Sequence, residues 1–133
     1  MWMSKKEQLA YDIGWAVGFW VGEGWLTIQK RKCKTKSDSF SLQMGVTQNE
    51  ILCLKRFGEI LDSIGINDYK IHTSHANRKN IQYALYLNQK GAKQFLKILK
   101  QFPLYSEKRE EKVLEALKYF SESEKTSFWG DIE

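Results

Sequence analysis

Gly14-Trp15-Ala16-Val17-Gly18-Phe19-Trp20-Val21-Gly22-Glu23-Gly24 is the stretch on which the fold turns. It completes a predicted helix over 8–22, in which Leu9, Ile13, Trp15, Ala16, Val17, Phe19, Trp20 and Val21 put apolar side chains on nearly every side. A helix this apolar is buried in a large core or against a partner. A chain of 133 residues, the length of one domain, has little core to surround it. Gly14, Gly18 and Gly22 recur every fourth residue and therefore share one face. Each interior glycine costs about 0.5–1 kcal/mol relative to alanine, so three of them need a reason. A bare face lets another backbone approach, and two copies packed face to face is the expected use. The alternative is one helix packed tightly on its own sheet.

Outward from this helix, Trp25 to Arg31 alternates as a strand, with Leu26 and Ile28 on one face and Thr27, Gln29 and Arg31 on the other. Lys30 to Lys36 holds five basic residues in seven and reads as a hairpin tip. The return strand puts Phe40, Leu42, Met44 and Val46 on one face and Ser39, Ser41, Gln43 and Gly45 on the other. One apolar and one small, polar face describe a sheet open to water on one side. Thr47-Gln48-Asn49-Glu50 fits a capping box with Thr47 as cap. The helix it opens runs to about Ile64, and Gly65 stops it. Residues 69–75 and 81–87 form a second hairpin around Asn77-Arg78-Lys79-Asn80. A helix follows over 89–101, Pro103 breaks the chain, and a last helix runs from Ser106 to about Phe120. Residues 122–133 form a tail that no pattern places. The order is αββαββα with an additional C-terminal helix, an α+β fold in a single domain spanning 1–133.

The charge is +5 overall and unevenly spread. Residues 1–105 carry 16 basic and 8 acidic residues, whereas 106–133 carry 5 and 8. A basic body points to a polyanion, most simply a nucleic acid. No run of apolar residues approaches a bilayer span. The N-terminus lacks the apolar core of a secretory signal, so an intracellular protein is expected, in a prokaryotic cytoplasm or an organelle. Cys33 and Cys53 match no metal spacing and read as free thiols in a reducing compartment. His72 and His75 point to opposite faces of a strand, which does not suit one zinc ion.

Residues 16–24, Ala-Val-Gly-Phe-Trp-Val-Gly-Glu-Gly, resemble the LAGLIDADG motif in its variant ending Gly-Glu-Gly. The following strand, Val46-Thr47-Gln48, and Pro103-Leu104 with Lys108-Arg109 are also similar to that homing endonuclease family, so the resemblance covers residues 8–120. Ala16 stands where leucine is usual, and Val21 replaces the first acidic residue of the motif, which puts helix-end packing in question more than chemistry. Glu23 holds the second acidic position. The resemblance implies a saddle-shaped antiparallel sheet that binds DNA, with the motif helix (8–24) at a dimer interface formed by Gly14, Gly18 and Gly22. It implies an intron-encoded, metal-dependent endodeoxyribonuclease that uses Mg²⁺ or Mn²⁺. Glu23 and the main-chain carbonyl of Gly22 would hold the metal, Gln48 would lie near the attacking water, and Lys108, or Arg109 beside it, would stabilise developing charge. A carboxylate at a helix C-terminus costs about 0.3–1 kcal/mol, a cost that a bound cation would offset.

One motif per chain implies a homodimer on a long, pseudo-palindromic duplex, cut across the minor groove to leave short 3′ overhangs. Thr27, Gln29, Arg31, Ser39, Ser41 and Gln43 from the first hairpin, and Lys70, His72, Ser74 and Gln82 from the second, would read the major groove. Lys30, Lys32, Lys34, Lys36, Arg78 and Lys79 would contact phosphates. Two competing readings remain: a non-cleaving family member acting as an RNA-splicing maturase or DNA-binding regulator, and an unrelated α+β RNA-binding module with exposed aromatics such as Trp25.

Overall fold

The computed structural model describes residues 3–31, 39–75 and 81–121. Its elements, in chain order, are α1 (Lys5–Glu23), β1 (Gly24–Arg31), β2 (Ser39–Gln48), α2 (Ile51–Ser63), β3 (Tyr69–His75), β4 (Ile81–Leu87), α3 (Gln89–Leu99) and α4 (Glu107–Ser121). The tail at 122–133 and the hairpin tips at 32–38 and 76–80, with Lys32, Cys33, Lys34, Arg78 and Lys79, lie outside the described residues.

The four strands form one antiparallel sheet in the order β1-β2-β4-β3. Leu26, Leu42, Met44, Val46, Leu85 and Leu87 share its inner face and are buried. All four helices pack on that side, and the opposite face is open. The core contains no buried polar or charged residue among those described, so the fold rests on apolar burial at about 1.5–3 kcal/mol for each fully buried large side chain.

Two helix starts depart from the sequence pattern. Helix α1 begins at Lys5 rather than at residue 8, because Ser4 and Glu7 form the capping box: Ser4 Oγ accepts the Glu7 N–H at 3.1 Å and Glu7 Oε1 accepts the Ser4 N–H at 3.2 Å. The box expected at Thr47 does not form. Thr47 pairs with Ala84 inside β2, and α2 starts after Glu50, whose side chain makes no capping hydrogen bond. Continuing the sheet ladder satisfies more backbone groups there than a local cap would. Gly65 ends α2 as expected, at φ +84°. Ile66 N–H donates to Leu61 O and Gly65 N–H to Asp62 O, a Schellman closure that buries Ile66.

Tyr69 clamps α2 to β3. Gly58 leaves room for its ring, and its hydroxyl donates to Asp62 Oδ2 at 2.9 Å. Burial pushes the Tyr69 phenol up from 10.0 to about 12, helped by that hydrogen bond and by the charges of Asp62 and Glu59. The folded-state value is the raised one, so the contribution of this clamp is intact below pH 10 and is lost as pH rises through about 12. Ultraviolet titration should show one tyrosine ionising near pH 12, and Tyr69→Phe should remove that step.

Candidate nucleic-acid interface and catalytic corner

The open sheet face is built in cross-strand rows. Trp25, Gly45, Tyr86 and Lys70 form one; Thr27 pairs with Gln43, Gln29 with Ser41, and Thr47 with Ala84 and His72. Gln82 sits opposite Ser74 in the same alternation. The register therefore brings the residues singled out in both hairpins onto one surface. Thr27, Gln29, Gln43, Lys70, His72 and Gln82 are exposed there, and Ser41 is half-buried. Arg31, Ser39 and Ser74 hold register positions in this alternation, while their side chains lie outside the described residues. Ser41 Oγ donates to Gln29 Oε1 at 3.4 Å, which leaves the Gln29 NH₂ group for an acceptor beyond the sheet.

Sequence reasoning missed Tyr86. Its ring meets Trp25 edge-on at 5.5 Å and His72 at 5.3 Å, with interplanar angles of 65° and 67°. Strand alternation from Gln82 would have put Tyr86 on the open face. Its contact with Trp25 depends on Gly45, where a side chain would collide with Leu85 O and crowd the indole.

Glu23 stands at the corner where α1 becomes β1. It is exposed, and no hydrogen-bond or ion-pair partner for it occurs among the described residues. Beneath it Trp20 is fully buried, its indole Nε1 without a hydrogen-bond partner. A side chain at Gly24 would run into that indole and Trp20 O, so the chain can turn here only on glycine. Gly24 N–H donates to Trp20 O, and the carbonyl of Gly22 follows it at the helix end, where the last carbonyls lack intrahelical donors.

Two more elements reach this corner. Gly24 opposes Val46, so Gln48, two residues further along β2, lies at the same end of the sheet. Gln48 is a half-buried strand end paired with Tyr83, outside the helix that Thr47 was expected to open, and its Oε1 accepts the Asn49 N–H at 2.9 Å. From α4, Arg109 lays its guanidinium over the Trp20 ring, 5.0 Å from the centroid, while its backbone N–H donates to Ser106 Oγ. Lys108 is exposed. The two basic candidates thus differ: Arg109 is committed to packing, and the Lys108 side chain is open to solvent.

The glycine stripe is bare. At Gly14, Gly18 and Gly22 an added Cβ would meet nothing within 4 Å, so the stripe is not where α1 packs on its own sheet. Tyr11, 59% exposed, continues the same face one turn earlier. No cluster of three or more His, Cys, Asp or Glu residues that could hold a metal occurs among the described residues. No described helix is long and apolar enough to cross a membrane.

The fold is similar to that of two solved endonucleases. The group I intron-encoded homing endonuclease I-CeuI, solved in complex with DNA, is 16% identical, matches over 92% of this chain and 56% of its own, and gives a TM-score of 0.57. The homing endonuclease I-TnaI is 17% identical over 72% of this chain and 63% of its own, with a TM-score of 0.52. At such identities the likeness concerns the fold, and this chain spans less than two thirds of the length of either. No protein of curated function matches it. The sequence profile of the LAGLIDADG endonucleases matches residues 16–118, which takes in the C-terminal half of α1, the whole sheet and most of α4, and the chain therefore belongs to the LAGLIDADG endonuclease family.

Proposed function

We propose that the chain is the subunit of a homodimeric, site-specific endonuclease that hydrolyses both strands of a long, pseudo-palindromic DNA duplex with divalent metal ions, leaving short 3′ overhangs. The observation that carries this reading is the continuity of the bare Gly14–Gly18–Gly22 face with the exposed Glu23. Two such faces in contact would bring two Glu23 carboxylates to the two-fold axis, one for each strand. The basic body and the open polar sheet face support a duplex lying across the strands, as does the likeness in fold to I-CeuI.

The residues at the corner fit a hard divalent cation. Mg²⁺ takes oxygen ligands and keeps several waters, so one carboxylate and a helix-end carbonyl per chain suffice. Glu23 and the carbonyl of Gly22 would hold Mg²⁺ or Mn²⁺, which supplies a more acidic water and neutralises charge at phosphorus when bound. Gln48, its amide oxygen satisfied by Asn49, keeps an NH₂ group to orient a water at this end of the sheet. Lys108 would bring an ammonium group to the charge that develops at phosphorus. Arg109 positions the helix end through Trp20.

Three outcomes are expected. A randomised duplex library with Mg²⁺ yields defined double-strand breaks with the wild type and none with Glu23→Gln, which still binds the selected site. Binding by both proteins without cleavage by either would instead make the chain a DNA- or RNA-binding member of the family. Gly18→Leu keeps the melting temperature of the monomeric fold, because the space is open, but halves the solution mass and abolishes cleavage. Lys108→Met lowers the cleavage rate about 10²–10³-fold with stability unchanged, whereas Arg109→Met costs about 1 kcal/mol of stability through the lost contact with Trp20.

A further inference from the structure

The middle of the open face is aromatic. Trp25 lies across β2 over Gly45 to meet Tyr86, and Tyr86 meets His72. The amide-bearing residues lie on either side of this row: Gln29 and Gln43 further along β1 and β2, and Gln82 toward the start of β4. Tyr86 remains 41% exposed after both ring contacts are made. Cross-strand ring pairs do stabilise sheets, but that role alone does not require the rings to interrupt a surface otherwise made of Thr, Ser, Gln and Lys.

We propose that the Trp25–Tyr86–His72 row is a specificity element that recognises the C5 methyl group of a thymine in the major groove, near the middle of each half-site. The proposal rests on the DNA reading above. In that groove each base pair offers hydrogen-bonding groups, and thymine alone adds a methyl. The faces of these rings discriminate by apolar contact, which suits the methyl, while the Tyr86 hydroxyl, the Trp25 Nε1–H and the His72 ring nitrogens remain hydrogen-bonding groups at their edges. A stacking platform for unpaired RNA bases is the other use of exposed rings. Adjacent rings here are inclined at 65° and 67°, so successive bases could not stack along them in parallel.

The test is a uracil scan of the selected duplex, with binding measured in the absence of divalent metal so that cleavage is not required. Replacing thymine by uracil removes only the methyl. Loss of one buried methyl is expected to weaken binding about fourfold per half-site at the position under the row. Tyr86→Ser, at an exposed position, should erase the thymine–uracil difference there and leave it unchanged elsewhere. Gln43→Ala should relax specificity at a neighbouring position while keeping that difference. A specific duplex bound with no thymine–uracil difference near the middle of the half-site, or with one that Tyr86→Ser does not alter, overturns the proposal while the DNA reading stands. Tyr86-dependent binding of single-stranded RNA with no duplex selected overturns both.

Discussion

The last two turns of α1 must satisfy two surfaces at once. Trp20 is buried to completion against the sheet and α3, edge-on to Phe95. Gly18 and Gly22, two residues either side of it, are about 200° around the helix and so lie on the opposite side. One face therefore anchors the helix and the other is left flat. Bulk on the flat face would obstruct a second helix. Bulk at Gly24 would push Trp20 out of the core, because the chain turns into β1 directly against the indole. Glu23 falls between these demands. Its place at the exposed corner follows from the anchoring of Trp20, since a helix end that shifted would take the carboxylate with it.

The remaining elements extend that arrangement. Helix α2 is tied to α1 by Arg56, whose Nη2 meets Asp12 Oδ1 at 2.8 Å, and to β3 by the Tyr69–Asp62 clamp. Helix α4 closes the corner from the other side with Arg109 over Trp20, and at its far end Tyr119 stacks on Phe40 at 4.4 Å. With every helix on one side of the sheet, the opposite face keeps its strand alternation free of tertiary cover. The corner and the open face are thus coupled through β1, where Glu23 and Trp25 are separated only by Gly24.

Most of the architecture was legible because the periodicities are strong. The second hairpin falls at 69–75 and 81–87 as read, and the Gly65 stop needed only the left-handed conformation that glycine tolerates. What misled was local chemistry with a long-range competitor. Thr47-Gln48-Asn49-Glu50 has the spacing of a capping box, but a strand edge was waiting for it in β4, and pairing with Ala84 prevailed. Conversely, the genuine box at Ser4 and Glu7 opens a stretch too polar to show an apolar period.

By itself the sequence determined the order of elements, the family, the shared glycine face and the acid at its end, because each is written in spacing along the chain. Only the tertiary structure decided which candidates meet. It showed that the glycines face outward rather than into their own sheet, and that Arg109 is committed to Trp20 while the Lys108 side chain is open to solvent. It also brought the rings of Trp25, Tyr86 and His72, from three strands, into contact, with Trp25 lying over Gly45. The physical reason is that periodicity fixes the direction a side chain takes from its own element, whereas register and packing between distant segments fix what it finds there.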